Sequence, residues 1–183
     1  RQFESRIAGV RTEGKVTLLL DGKVSAESQG EIQLTEYGVS GIPVFQISRF
    51  ASYGCIKGQN VQVKLDLMPH MEISDFTAFM VQRKKVLQDR TMEQFCAGLI
   101  HRKICQLFCK LSGTPFELKV GKVSDKQFEN FVKLFKDWNV TVERPNGFDM
   151  AQVCAGGLSM QEITRHFSLK KCSSVYVAGE LLD

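Results

Sequence analysis

The clearest periodicity along the chain is the alternation in VQVKLDLM. Val61, Val63, Leu65 and Leu67 fall on one side, and Gln62, Lys64 and Asp66 on the other. A period of two predicts a strand with one face on a core, and Pro69 ends it. Upstream, KVTLLLDGKVSAE holds two strand-like runs about Asp21-Gly22. Both residues tolerate positive φ, so a tight hairpin is expected there. GEIQLTEYG continues with another short strand. Between these lies SGIPVFQISRFA. Ser40 can cap, Pro43 suits a first helical turn, and Val44, Ile47 and Ala51 recur near helical spacing, which predicts one short helix within a β region.

The period changes after residue 73. Thr91-x-x-Gln94 and Ser124-x-x-Gln127 match capping boxes, in which each side chain satisfies an orphan backbone donor. Ile104, Leu107, Phe108 and Leu111 recur at i, i+3, i+4, i+7, and Gly113 follows as a C-terminal stop. Phe128, Phe131, Val132 and Phe135 repeat the pattern. Three or four short helices in one cluster are expected, with Trp138 and the Phe stripe in the core. Beyond Trp138, NVTVER alternates, Pro145-Asn146-Gly147 reads as a turn, and FDMAQVC is expected to pair back. The order β, α, β predicts a helical insertion within a β domain.

Composition narrows the class without fixing it. The 183 residues are 43% hydrophobic and 24% charged, with a net charge of +4 from 24 basic and 20 acidic residues. Such a chain can build a core without metal or disulfide. The mild basic excess falls short of a concentrated nucleic-acid footprint. No apolar run approaches the ~18 residues of a membrane span. Six cysteines lie scattered through apolar stretches with no Cys-x-x-Cys pair, which points to a reducing compartment and hence the cytoplasm.

Candidate chemistry concentrates near the end. Val175, Tyr176, Val177 and Ala178 suit a strand buried on both faces, as in a parallel sheet flanked by helices. Ligands bind beyond the carboxyl ends of such strands. Gly179 gives clearance there, Glu180 offers acceptor oxygens to ligand hydroxyls, and Asp183 supplies a second carboxylate. The bland alternative is a turn with a solvated acid. The chain begins with Arg and stops where a strand should hand over to a loop and helix; the expectation is a piece of a larger protein.

Other candidates have bland readings beside them. His101, Cys105 and Cys109 lie at i, i+4, i+8, but they flank an apolar stripe without a fourth ligand, so core packing is preferred to a metal. Arg83-Lys84-Lys85 and His101-Arg102-Lys103 read as solvated helix surface before nucleic-acid contacts. Cys154 beside Gly156-Gly157 could be redox-active, yet lacks a nearby partner thiol. Ser40 reads first as an N-cap. The functional alternative has Tyr37, Ser40 and Gly41 facing a substrate cleft.

Three stretches carry a resemblance when read together: TEYGVSGIPVFQISR at 35–49, AQVCAGGLSMQEI at 151–163 and VYVAGELLD at 175–183. In this order and spacing the chain resembles the aminoacetone-oxidase-like, BaiN-type family of bacterial FAD-dependent oxidoreductases, whose pattern runs T-H-Y-G-x-S-G, A-G-G-V and Y-F-A-G-E-x-L-D. The resemblance spans nearly the whole chain. Glu36 stands where His is common, Ile42-Pro43 replaces Pro-Ala and Leu158 replaces Val.

The resemblance implies an α+β chain. Its parts would be a β-barrel of the translation-factor kind (1–72 and 137–158), an inserted helical subdomain (73–136), and a return segment (159–183) whose strand belongs to a split FAD-binding domain. It implies FAD in the intact parent, with NAD(P) left open, a small organic substrate, and the rest of the FAD-binding domain as partner. Glu180 would lie near the ribityl or pyrophosphate, Gly179 would give clearance, and Gly156 and Gly157 would form a tight loop toward the flavin. No G-x-G-x-x-G occurs, so the site for the ADP phosphates is missing and the chain alone should bind FAD weakly or not at all. The rival reading is a stand-alone module that binds nucleic acid or protein.

Overall fold

The computed structural model describes residues 7–151 and 156–182. The chain is α+β and divides into two compact units, residues 1–145 and 146–183.

The first unit is built on a five-stranded antiparallel sheet, curled into a half-barrel, in the order β3-β2-β1-β4-β5. Its strands are β1 (Arg11–Leu20), β2 (Lys23–Leu34), β3 (Val39–Ser40), β4 (Val61–Asp66) and β5 (Trp138–Thr141). Among the described residues, five α-helices accompany them: α1 (Ile42–Ile56), α2 (Ile73–Val86), α3 (Met92–Cys96), α4 (Arg102–Ser112) and α5 (Asp125–Lys136).

Register explains why one face of the sheet is dry. Trp138 pairs with Leu65 and Leu65 with Val16, while Val140 pairs with Val63 and Val63 with Leu18. All six are buried. The neighbouring rows, Asn139–Lys64–Thr17–Glu27 and Asp66–Lys15–Gln29, carry the polar side chains. The Asp21-Gly22 hairpin forms as expected, both residues at positive φ (50° and 78°).

Two expectations for the β region change. GEIQLTEYG is no separate strand, because its first residues continue β2 for 12 residues in all. Gly30 lies inside that strand with φ 151°, and a Cβ there would come within 3.2 Å of the Pro43 ring. The helix is longer than expected at 15 residues, and its N-cap is Gly41, not Ser40. Ser40 instead pairs with Gln33 in β3. Gly41 has φ 105°, and a Cβ would meet the Glu31 carbonyl oxygen at 2.4 Å. No other residue allows the chain to turn from β3 into α1 this close to β2.

The helical cluster follows its sequence closely. Both capping boxes are present, at Thr91 for α3 and Ser124 for α5. Gly113 ends α4 in the left-handed conformation. Phe128, Phe131, Val132 and Phe135 are buried. Phe76, Phe135, Phe108 and Trp138 form a run of ring contacts at centroid distances of 5.2–5.4 Å, joining helices to sheet in one core. One position departs: Leu111 is 45% exposed, and Cys105 and Cys109 take the inward positions of α4.

In the second unit, FDMAQVC does not pair back over its described part. Phe148–Met150 forms a short 3-10 turn with Phe148 exposed. The strands are β6 (Ser168–Leu169) and β7 (Cys172–Tyr176), paired antiparallel. The expected two-sided burial of Val175–Ala178 is not observed: every residue of β7 is exposed, and only Val177 beyond it is buried. A two-residue partner strand and a unit whose buried hydrophobic residues, among those described, are Ile163 and Val177 do not cover both faces of a strand.

Candidate functional site

The sequence-derived candidates fall into two groups, one in each unit. In the first unit, the turn ahead of β3 is closed by Thr35. Its N–H and hydroxyl both donate to the Gly38 carbonyl oxygen (2.8 and 3.0 Å), and the Gly38 N–H donates back to Thr35 Oγ1 (3.1 Å). This turn holds Tyr37 outward, 62% exposed. Gly41 then starts α1, where the Val44 and Phe45 N–H groups both donate to its carbonyl oxygen. The Thr-x-x-Gly turn, β3 and Gly41 fix the backbone, and the exposed Tyr37 phenol has no hydrogen bond among the described residues.

In the second unit, the two glycine-bearing stretches lie side by side. Leu158 and Leu182 form a parallel bridge, and the Leu158 N–H donates to the Leu181 carbonyl oxygen at 2.9 Å. This sets Gly156-Gly157, just before Leu158, beside the Gly179–Leu181 3-10 turn. Gly156 and Gly179 have φ of 99° and 74°, and nothing stands within 4 Å of where either would carry a Cβ. Glu180 is exposed and has no hydrogen bond or ion pair among the described residues. Its oxygens are thus available to hydroxyl donors. Asp183 and Cys154 lie outside the described residues.

The remaining candidates resolve into structure. His101 is the N-cap of α4, its Nδ1 accepting from the Lys103 N–H. Cys105 and Cys109 are buried in the core. Hydrogen bonding to Cys105 and burial push the Cys109 thiol far up. At Cys105 the bond with Cys109 acts downward, but the contact with Cys96 and burial outweigh it and the thiol is raised. Neutral thiols of this kind are poor nucleophiles and poor metal ligands. Among the described residues no group of three or more His, Cys, Asp or Glu is placed to hold a metal. The first basic run is largely structural. Arg83 donates to the carbonyls of Phe95 and Ala97, and Lys84 to that of Val123 and to Asp125.

Two features escaped the sequence. A cleft of about 510 Å³ is lined by Lys15, Lys64, Asp66, Lys133, Lys136 and neighbouring residues. Its lysines come from two strands and a helix, so only the sheet register brings them together. The second feature is the outward face of α1, where Ile42, Phe45, Tyr53 and Ile56 are exposed. A helix drawn only as far as Ala51 hides half of that stripe.

The family described as "HI0933-like protein barrel and H2TH domain" matches residues 1–153. The chain belongs to that family. The resemblance read from the three motifs therefore holds. Among curated relatives, a 3-dehydro-bile acid delta(4,6)-reductase of Clostridium scindens is 36% identical over 98% of this chain and 44% of its own length. Ribosomal RNA dihydrouridine synthases of Haemophilus influenzae and Escherichia coli are 22% and 25% identical, over 42% and 41% of their lengths. The chain thus spans less than half the length of these relatives. Among the described residues no helix is long and apolar enough to cross a membrane.

Proposed function

We propose that this chain is the substrate-side insertion of an FAD-dependent oxidoreductase acting on a small organic substrate, with residues 159–183 returning to the FAD-binding domain. The β-barrel would comprise 1–72 and 137–158, with 73–136 as its helical subdomain. The observation that carries the reading is the parallel bridge of Leu158 and Leu182, which puts the Gly156-Gly157 loop beside a Gly179-Glu180 turn whose carboxylate has no partner among the described residues. The exposed apolar side chains of the second unit, Phe148, Tyr176 and Leu181 among them, support it. They fit a segment completed by a further sheet. The relation to a bile acid reductase supports the reaction class.

The residues present fit one edge of a flavin site. Glu180 would accept hydrogen bonds from the hydroxyls of a ribityl chain or ribose, Gly179 and Gly156 would let that chain approach the backbone, and Asp183 would add a second acceptor. No phosphate-binding glycine fingerprint accompanies them. FAD, when bound, would supply the hydride chemistry, and NAD(P) could serve as electron donor. Tyr37, Ser40 and Gly41 would lie on the substrate side, the Tyr37 hydroxyl orienting a polar substrate group. Free thiols at Cys55, Cys96, Cys105, Cys109 and Cys172 suit a reducing, cytoplasmic setting.

Flavin absorbance tests this directly. The longer protein should purify with one FAD per chain, and the 183-residue chain without it. A stoichiometric flavin band on the 183-residue chain refutes the incomplete site, and a longer protein that never takes up FAD refutes the reading altogether. A second reading, a module that engages nucleic acid, is favoured only by the ribosomal RNA enzymes among the relatives. It predicts oligonucleotide binding that weakens steeply with salt.

A further inference from the structure

The outward face of α1 serves neither the core nor the proposed flavin edge. Ile42, Phe45, Arg49, Tyr53 and Ile56 recur at steps of three and four residues, so they share one stripe. The four hydrophobic members are 70%, 46%, 49% and 79% exposed. From end to end the stripe runs about 20 Å. The opposite side of α1 is also apolar: Pro43, Ile47 and Gly54 are buried, and a Cβ on Gly54 would stand 2.6 Å from Leu20 and 3.0 Å from Val61. A helix with apolar side chains on two opposite faces buries one against its own core and leaves the other to be covered from outside.

The polar groups flanking the stripe support covering. Ser48 Oγ donates to the Phe45 carbonyl (2.8 Å) and Ser52 Oγ to the Ser48 carbonyl (3.0 Å), while Ser28 Oγ donates to the Gln46 side-chain oxygen. These hydroxyls already have acceptors within the chain, so removing water does not strand them. Arg49, within the stripe, has no such acceptor among the described residues. It is exposed, its guanidinium lies 4.7 Å from the centroid of the Phe50 ring, and it makes no ion pair among the described residues. Whatever covers the stripe must bring an acceptor for it.

We infer that the stripe is the seat of the FAD-binding remainder of the longer polypeptide, which meets Ile42, Phe45, Tyr53 and Ile56 with an apolar surface and Arg49 with a carboxylate. The inference rests on the reading of this chain as part of a longer flavoprotein. The relatives have more than half of their length outside the matched region, ample for such a surface. A second copy fits poorly. Arg49 is the midpoint of a stripe running from 42 to 56, so a two-fold contact between stripes sets Arg49 against its own symmetry mate.

Hydroxyl-radical footprinting read by mass spectrometry, on the 183-residue chain and on the longer protein, tests this. Oxidation of Phe45 and Tyr53 should fall about fivefold in the longer protein, since an interface core excludes water. Val24, 63% exposed on β2, is the internal control and should not change. Equal oxidation of Phe45 and Tyr53 in both proteins overturns the inference, whatever the flavin content. Protection in a longer protein devoid of FAD keeps the docking face and removes the flavin reading. A 183-residue chain that sediments as a dimer, with Phe45 and Tyr53 already protected and released by Ile56→Glu, assigns the face to a second copy and also overturns it.

Discussion

The Lys136 ammonium lies 2.7 Å from Asp66 Oδ2 and donates to the carbonyl oxygens of Met68 and Met71 at 2.7 and 2.6 Å. Asp66 ends β4 and Lys136 ends α5, so one cation joins the sheet to the helical cluster and closes the loop between them. Asp66 Oδ1 also accepts from the Met68 N–H at 2.8 Å. The side chains of Lys136 and Asp66 are only 10% and 18% exposed. Lys136→Met keeps the aliphatic stem but leaves a half-buried carboxylate and two carbonyls without their donor. Urea unfolding should show a loss of about 3 kcal/mol. Lys136→Arg should recover only part of it, because a planar fork does not meet three acceptors arranged around one point. An unchanged midpoint for Lys136→Met would refute this account of the junction.

Gly41 is the second point where one residue type is required. Its φ of 105° and the 2.4 Å approach to the Glu31 carbonyl leave no room for a Cβ. Gly41→Ala must move α1 away from β2 or distort β3. A loss of about 2–4 kcal/mol is expected, the sum of backbone strain and disturbed packing. Gly38→Ala is the control, since nothing stands within 4 Å of its Cβ position and its φ is not positive. Comparable losses for both would show that the close approach is not what selects glycine at 41.

These two positions also mark how far the sequence could be read. Local signals held where the chain satisfies itself locally. The Asp21-Gly22 hairpin, both capping boxes, the Gly113 stop and the alternation of β4 need only neighbours in sequence. The N-cap of α1 was misread because Ser40 is the residue type that caps, whereas the deciding contact, Gly41 against Glu31, spans the β2–β3 turn. The C-terminal strand was read as buried from its apolar character alone, and that character does not supply the partners a buried strand needs. The Lys136 hub carried no signal: in sequence it is one more lysine in the last turn of a helix. Of the proposed site, the bridge that sets Gly156-Gly157 beside Gly179-Glu180 carried no signal in the sequence, since no rule of spacing brings residues over 20 apart to one edge.

The buried thiols give a chemical test of the helical cluster. Cys96, Cys105 and Cys109 are buried, and Cys105 Sγ lies 3.7 Å from the Met92 carbonyl oxygen. With the Cys105 and Cys109 thiols held neutral, an aromatic disulfide reagent at pH 8 should modify exposed Cys172 first and half-buried Cys55 more slowly. Cys96, Cys105 and Cys109 should react only with denaturant. Prompt modification of Cys105 or Cys109 in the native chain would mean that α3 and α4 are not packed as described.

Acid should weaken the sheet at two identified carboxylates. The Asn60 N–H and the Gln59 side chain donate to Asp21 (2.9 and 2.8 Å) and hold its carboxyl below the ordinary range. Lys15 and the Thr17 hydroxyl do the same for Glu27 (2.9 Å each). Both groups bind protons more weakly folded than unfolded. Their contribution is therefore complete above the unfolded pKa of about 4 and is lost as pH falls through the lower folded values. Tm should stay level from neutral pH to about 5 and then drop. Asp21→Asn keeps a residue suited to the hairpin turn while removing the titration. It should melt lower than the parent at neutral pH and lose less between about pH 5 and pH 2, and Glu27→Gln should behave likewise, each removing part of the acid slope. If the parent and both variants lose Tm in parallel on acidification, the acid sensitivity lies elsewhere and these two carboxylates do not anchor the β1–β2 hairpin.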